Sequence, residues 1–301
     1  MKPAAILPLL LGILLSLPAS AAQFAIATIP TPVLNTPGFR EIFGGKEGTT
    51  LRMDACGQIR ELEFVALPGT VFRIEQELMS GTDRLYRVTT DDYPYPSGSG
   101  YFVDSRFVSL QSSRPEERSR HLPPEREILR RLRKAEGTRY VWGGNVVAGI
   151  AALPEIYPAP TTLSGDTGLL WRLAGLDCSG LLYEATDGVT PRNTSSLVAY
   201  GAAVPVAGRD AGTIAGLLQP LDLIVWQGHV LIVIGRQEVI ESRLECTKKQ
   251  RGGVIVTPLR KRLEEIMQRR RPADAIGKQD GNGQSVFVVR RWYGQAAGTG
   301  R

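Results

Sequence analysis

The sequence is poor in the side chains that most often bind metals or act as catalytic bases. Its 301 residues include only three cysteines and two histidines. These residues show no zinc-ligand spacing, and the chain contains no P-loop, zinc finger or aromatic-studded basic stripe. The arginines are scattered, although the net charge of +6 would suit an anionic polymer. The composition therefore argues against a metal site and against nucleic-acid binding.

Long hydrophobic runs are also absent beyond the first residues. Residues 1–22 contain one positive charge, an apolar run from Ala4 to Leu17 and small residues up to Ala22, the pattern of a secretory signal. Prolines interrupt this run, and it is shorter than the roughly 20 residues that span a bilayer. No cysteine lies near the expected cleavage point after Ala22, which argues against a lipid anchor. We expect an exported protein of the periplasm or cell envelope, with no stable membrane insertion after cleavage.

The chain changes character near residue 112. Residues 23–112 contain short stretches such as FAIATI and TVFRIEQEL, separated by Gly, Pro, Asp and Ser clusters, which indicates a small all-β barrel. Residues 113–124 are polar and broken by proline, as expected of a linker. Beyond them, apolar residues recur at helical spacing until Gly137, and strand patterns follow. We therefore predict two domains, with an α+β fold over residues 125–301.

Cys178 lies in the stretch LAGLDCSGLLYEATDG, which has the features of a helix start. Asp177 is a good N-cap, and an apolar stripe follows up to a stop near Gly188. A thiolate in the first turn of a helix is stabilised by the unpaired backbone amides there. Gly180 would keep the approach to the sulfur open. This context leaves three alternatives for Cys178: an inert buried side chain, half of a disulfide, or a nucleophile.

A cysteine nucleophile needs a base, and only two histidines are available. His121 lies in the polar linker segment, where we expect a solvated loop residue. His229 begins the apolar strand pattern HVLIVI and is the usable partner for Cys178. A histidine at the edge of a core strand is, however, more often a hydrogen-bonded core residue than a catalyst.

The third candidate group follows from hairpin geometry. HVLIVI and EVIES are separated by Gly-Arg-Gln, and a three-residue loop pairs Ile234 with Glu238 and Leu231 with Glu241. Glu241 would then share a face with His229, within reach of its ring. A two-residue loop would invert the faces and leave Glu241 as a surface residue. In the first register, Glu241 would orient the imidazole and stabilise the imidazolium.

Three segments carry a resemblance to a known family: TRYVWGG (138–144), LDCSGLL (from Leu176) and LQPLDLIVWQGHVLIVIGRQEVIES (218–242). In this order they resemble the NlpC-type cysteine peptidases, papain-like endopeptidases of peptidoglycan, over about residues 125–293. The resemblance implies a papain-like catalytic domain, with helices packed on an antiparallel sheet. The N-terminal barrel resembles the bacterial SH3-like modules that some members carry.

The same resemblance implies roles for individual residues beyond the nucleophile and its base. Tyr140 would lie near the reacting carbonyl, and Trp142 would form a wall of the cleft. Asp177 and Ser179 resemble residues that hold the amino end of the substrate in members that cut free stem peptides. The Cys178 amide and Tyr140 form a candidate oxyanion site. No metal or organic cofactor is required.

The function implied is hydrolysis of peptidoglycan stem peptides or muropeptides between γ-D-glutamate and diaminopimelate or lysine. Two alternatives stay open. One is an amidase or acyltransferase on the same scaffold, and the other is a catalytically silent protein that binds the cell wall. The motifs do not predict which diamino acid is preferred.

Two further features concern the way the halves of the chain meet. Residues 145–176 are far longer than the corresponding loop of most relatives, and their large apolar residues argue against disorder. We expect this insertion to form a flap at the cleft or to pack on the barrel.

Cys56 and Cys246 could form a disulfide between the domains. Because the sequence does not show that they approach within about 7 Å, we expect two unpaired thiols.

Overall fold

The computed structural model describes residues 23–247, 252–277 and 280–294. The predicted signal segment, residues 1–22, lies outside these ranges. Within them, no helix is both long and apolar enough to cross a membrane.

The N-terminal half is a seven-stranded antiparallel sheet with the strand order β3-β2-β6-β5-β4-β1-β7. Its elements are β1 (Phe24–Ala27), β2 (Thr31–Leu34), α1 (Phe39–Phe43), β3 (Leu62–Ala66), β4 (Val71–Ser80), β5 (Asp83–Thr89), β6 (Tyr101–Asp104) and β7 (Val108–Gln111). The all-β character predicted for residues 23–112 is therefore present. The predicted closed SH3-like barrel is not observed, because no pairing among the described strands joins β3 to β7.

The outer edge of β3 contacts the C-terminal half rather than another strand of its own sheet. The side-chain amide of Asn145 donates to the carbonyl oxygen of Val65 at 2.8 Å and accepts from its N–H at 2.9 Å. These two bonds imitate a neighbouring strand and satisfy the edge of the sheet. Barrel closure would require the same backbone groups.

The C-terminal half carries the remaining elements. They are α2 (Glu125–Lys134), β8 (Asn145–Val146), α3 (Leu153–Ile156), α4 (Gly165–Trp171), β9 (Gly175–Leu176), α5 (Cys178–Ala185), α6 (Thr194–Leu197), β10 (Ala202–Val204), α7 (Ala211–Leu217), β11 (Leu223–Trp226), β12 (His229–Gly235), β13 (Glu238–Arg243), β14 (Gly253–Pro258), α8 (Leu259–Met267), β15 (Arg271–Pro272) and β16 (Val286–Arg291). Strands β10-β16-β11-β12-β13-β14 form an antiparallel sheet in that order, and β15 pairs with β16 in parallel.

Helices cover both faces of this second sheet. Side chains alternate along β12, so that Val230 and Ile232 pack in one core with α2 and α5, whereas Leu231 and Val233 pack with α7 and α8. The arrangement explains the continuous apolar run HVLIVI, because a strand buried on both faces needs no polar alternation. The predicted mixture of helices packed on an antiparallel sheet is present.

The insertion packs on the N-terminal sheet. Tyr157 and Trp171 belong to the same core as Phe39 and Phe43 of α1. The Tyr157 hydroxyl also hydrogen-bonds to the buried carboxylate of Asp104, and the Trp171 indole N–H donates to the Tyr157 carbonyl at 2.9 Å. Of the two expectations for residues 145–176, packing on the N-terminal domain is therefore observed.

Residues 113–124, the predicted linker, form no helix or strand but are held in place. The guanidinium of Arg118 donates to the Gly188 carbonyl at 2.7 Å and to the Tyr183 hydroxyl at 3.2 Å. It also pairs with Asp92 of the N-terminal half at 3.3 Å. One arginine of the segment thus joins the end of α5 to the first sheet.

Cys56 and Cys246 form a disulfide with a Cα–Cα distance of 5.0 Å. The expectation of two unpaired thiols was wrong. A side-chain turn presents Cys56, because Asp54 accepts from the Cys56 and Gln58 amides at 2.8 and 2.9 Å. The bond links positions 190 residues apart and ties the N-terminal half to the chain that leaves β13.

Candidate active site

Cys178 is the first residue of α5 and the free cysteine of the described chain. Asp177 has an extended backbone and caps the helix, since its carboxylate accepts from the Gly180 amide at 2.7 Å. The thiol is 8% exposed, and its Sγ lies 3.9 Å from the Gly228 carbonyl oxygen. The sulfur therefore lies at a helix N-terminus, where the unpaired backbone amides carry a partial positive charge.

Gly180 has a different role from the one expected. A Cβ atom at this position would lie 2.0 Å from the Gly144 carbonyl oxygen, which also accepts from the Asp177 amide at 2.9 Å. Glycine allows the YVWGG segment to pack directly against α5. It positions the helix rather than clearing a path to the sulfur.

His229 begins β12, opposite Trp226 on β11. Its Nε2 lies 2.6 Å from a Glu241 carboxylate oxygen, and the Cys178 Sγ lies 3.9 Å from the carbonyl oxygen of the preceding residue, Gly228. Burial alone would lower the pKa of His229, but the bonds to Cys178 and Glu241 raise it to about 9. The histidine is therefore held as an imidazolium at neutral pH, poised to donate a proton.

Glu241 reaches His229 through an unexpected hairpin. Gly235 pairs with Glu238, so the loop has two residues rather than three, and the predicted pairing of Ile234 with Glu238 is wrong. A bulge at Ile234 then shifts the register by one residue. Beyond it Val233 pairs with Val239, which continues to the predicted register and returns Glu241 to the face of His229.

Arg262 on α8 completes this side of the site, and sequence reasoning missed it. Its guanidinium donates to both oxygens of the fully buried Glu241 carboxylate, at 2.6 and 3.0 Å. Burial alone would raise the pKa of Glu241, but hydrogen bonds from His229 and Arg262 lower it to about 2. The carboxylate is thus ionised and fixed in front of the imidazole. No short motif marks this arginine, because α8 is brought to Glu241 through the pairing of β14 with β13.

A second arginine missed by sequence reasoning lies beside Cys178. Arg192 is buried and pairs with both oxygens of Asp177, at 2.7 and 3.0 Å. It also donates to the Ser179 hydroxyl at 2.9 Å and to Asn145 at 3.0 Å. Through Asn145 the network continues to the edge of β3. The predicted substrate residues Asp177 and Ser179 are therefore already engaged by a protein cation.

Tyr140 and Trp142 lie on the chain that runs past the start of α5. Tyr140 is buried and bridges to Leu176, and burial, followed by the charges of Asp177 and Cys178, raises the pKa of its phenol. The hydroxyl therefore stays protonated and able to donate. Trp142 is 38% exposed, and its ring is covered by the guanidinium of Arg60 at 4.5 Å.

The second histidine, His121, was predicted to be a solvated loop residue and lies outside the site. His121 is an exposed residue whose Nδ1 lies 2.9 Å from the Ser119 hydroxyl. In the part of the chain that the structure describes, no group of three or more His, Cys, Asp or Glu side chains could hold a metal ion.

No protein-family model matches the chain, and no curated protein matches it. The solved structures that it resembles include an NlpC/P60 family protein from Bacillus cereus, at 18% identity and a TM-score of 0.32. That match covers 90% of this chain and 63% of the other, so the chain spans less than two thirds of that protein.

A second structural neighbour is RipD from Mycobacterium tuberculosis, described as a non-catalytic NlpC/p60 domain protein adapted to peptidoglycan binding. It is 19% identical with a TM-score of 0.29, and the match covers 46% of this chain and 89% of RipD. Both neighbours are NlpC/P60 proteins, the family that the sequence motifs resemble.

Proposed function

We propose that this protein is an exported cysteine peptidase of the NlpC/P60 type that cleaves peptidoglycan stem peptides between γ-D-glutamate and the diamino acid. The observation that carries the proposal is the 2.6 Å bond between the His229 imidazole and the Glu241 carboxylate, with Cys178 near enough to raise the pKa of the same imidazole. A nucleophile, a base and an orienting group in this order are the requirements of thiol acyl transfer.

The reaction follows from these contacts. The Cys178 sulfur attacks the scissile carbonyl carbon, and the Cys178 amide and the Tyr140 hydroxyl stabilise the oxyanion. The imidazolium of His229 then gives its proton to the leaving amine as the C–N bond breaks, which leaves a thioester on the sulfur. Water attacks this thioester while neutral His229 accepts its proton. Release of the carboxylic acid restores the thiolate and the imidazolium.

Two observations support the compartment and the choice of an enzyme. The Cys56–Cys246 disulfide is typical of proteins that leave the cytosol, in agreement with the predicted signal segment. A silent wall-binding protein would not need an ionised carboxylate held against an imidazolium, since burying such a group is costly. Trp142 is proposed as a wall of the cleft. Asp177 and Ser179 are proposed as contacts that a substrate amine would share with Arg192.

The test is mass spectrometry of purified muropeptides after incubation with the protein lacking residues 1–22. We expect products that end in γ-D-glutamate, and no products with Cys178→Ala. Release of intact stem peptides from the glycan would instead identify an amidase, and transfer to an added amine would identify an acyltransferase. Binding to cell walls without any product would identify a silent wall-binding protein.

A further inference from the structure

An arginine without an acidic partner lies beside the proposed catalytic pair. The Arg270 guanidinium stacks on the Trp226 ring at 4.2 Å, and the same ring lies 5.1 Å from the His229 imidazole. The Nε of Arg270 is buried and has no hydrogen-bond partner. Within residues 23–247, 252–277 and 280–294, no carboxylate forms an ion pair with this side chain.

The electrostatic setting of Arg270 differs from that of the arginines described above. Arg262 and Arg192 each hold a buried carboxylate, whereas Arg270 pairs with no carboxylate of the described residues. Burial, and then the positive charges of Arg269 and Arg262, lower the pKa of Arg270. A partly buried cation among like charges is unfavourable. An anion bound to the accessible part of this guanidinium would relieve the repulsion.

The proposed mechanism indicates which part of the substrate comes near. His229 gives its proton to the departing amine, so the leaving amino acid must lie on the His229 side of the Cys178 sulfur. Arg270 is separated from this imidazole by one ring, because Trp226 lies 5.1 Å from His229 and carries Arg270 at 4.2 Å. A charged group on the leaving residue that extends past Trp226 would therefore reach Arg270.

We propose that Arg270 binds a carboxylate on the side chain of the leaving diamino acid and so favours diaminopimelate over lysine. This inference rests on the proposed function. Diaminopimelate carries a carboxylate and an amine at the end of its side chain, whereas lysine carries the amine alone. Arg270 would form a charge-assisted hydrogen bond with the first. The cationic surroundings would repel the second, which adds discrimination by repulsion.

The experiment compares kcat/KM for three tripeptides that differ only in the last residue: diaminopimelate, its side-chain amide, and lysine. For the wild type we expect the diaminopimelate peptide to be favoured over both others by about tenfold or more, the size of a hydrogen bond to a charged group. Arg270→Met should bring the ratios of kcat/KM between the peptides close to one, mainly through a change in KM. Arg270→Lys should keep part of the preference.

A matched control is Arg260→Met, which removes an exposed arginine of α8 that pairs with Glu264 at 3.1 Å. This variant should leave the ratios unchanged. Turnover of the lysine peptide by Arg270→Met shows that the variant is folded. If Arg270→Met does not fold, the same ratios are measured with Arg270→Gln, which keeps a polar side chain over Trp226.

The outcomes separate this inference from the function on which it rests. If the wild type cuts none of the three peptides, the proposed function is contradicted, and the inference falls with it. If the wild type cuts diaminopimelate and its amide equally well, or if Arg270→Met keeps the wild-type ratios, the function stands. Arg270 then only covers Trp226, and the inference is overturned.

Discussion

Two carboxylate–arginine pairs lie on opposite sides of the proposed catalytic pair, and they have different tasks. Asp177 and Arg192 hold the chain at the start of α5, because the Asp177 carboxylate also caps the helix through Gly180. Glu241 and Arg262 lie behind His229, and this carboxylate accepts from an imidazole rather than from the backbone. One arginine–carboxylate ion pair thus fixes the backbone at Cys178, and the other fixes the imidazole ring of His229.

The difference shows what each arginine is needed for. A buried carboxylate is costly unless its oxygens are satisfied, and one neutral or cationic ring cannot satisfy two oxygens. Arg262 supplies the missing donors, so that Glu241 can be ionised with no exposed surface. Arg192 does the same for Asp177 and in addition reaches Asn145 at the edge of the N-terminal sheet.

The largest expected effect is on stability and comes from the nucleophile side. Arg192→Met leaves the buried Asp177 carboxylate without its partner, so we expect the free energy of unfolding to fall by about 3–5 kcal/mol. Urea unfolding of the protein with its disulfide intact measures this free energy. Arg209→Met, at an exposed position, is the control and should change little. A loss below about 1 kcal/mol would show that the pair does not hold α5.

The next effect is on catalysis and comes from the base side. Glu241→Ala removes the group that orients His229, so we expect kcat to fall by about a hundredfold with KM near normal. Glu241→Gln, which keeps an acceptor but loses the charge, should be intermediate. Glu238→Ala, on the same strand but exposed and paired with Arg133, is the control. Full activity in Glu241→Ala would mean that the carboxylate has no part in the reaction.

A smaller loss of activity is expected when the carboxylate remains but its holder is removed. Arg262→Met frees Glu241 to move, so kcat/KM should fall by about tenfold, less than for loss of Glu241 itself. Arg262→Lys should recover part of the activity. The positioning role is checked by adding Arg262→Met to Glu241→Ala, where no further loss is expected. Additive losses would indicate that Arg262 acts independently of Glu241.

The smallest effect is expected at Asp177, because Arg192 already neutralises its carboxylate. The ratio of kcat/KM for a free and an N-acetylated stem tripeptide should change by less than about threefold in Asp177→Asn, below 1 kcal/mol. A collapse of a large wild-type preference for the free amine would show that Asp177 supplies most of the binding of the amine, and that Arg192 does not weaken this contact.

Much of the site could be predicted because its signals are local in the sequence. The helix start around Cys178 and the strand of His229 are visible in short motifs, and the structure brings both residues together with Glu241. The hairpin shows the limit of such reasoning. Its loop is one residue shorter than predicted. A bulge at Ile234, which no sequence pattern predicts, returns the Glu241 side chain to the face of the sheet that carries His229.

The parts that could not be predicted depend on contacts between distant segments. Arg192 and Arg262 meet their carboxylates through tertiary packing, and neither spacing nor composition indicates such pairs. The disulfide likewise joins residues 190 positions apart. Closure of a barrel depends on what meets the edge strands, and here the Asn145 side chain occupies the edge of β3.

The central claim is that Cys178 reacts as a thiolate paired with the His229 imidazolium. It is tested most directly by the rate at which iodoacetamide labels Cys178 in the oxidised protein, followed by mass spectrometry from pH 4 to pH 10. Because the pKa of His229 is raised to about 9, the imidazolium persists below that pH and is lost above it. We predict that Cys178 is labelled faster in the wild type than in His229→Ala at neutral pH, and that this difference shrinks as the pH rises through about 9 and the imidazolium is lost. The same pH profile in both proteins would contradict the account.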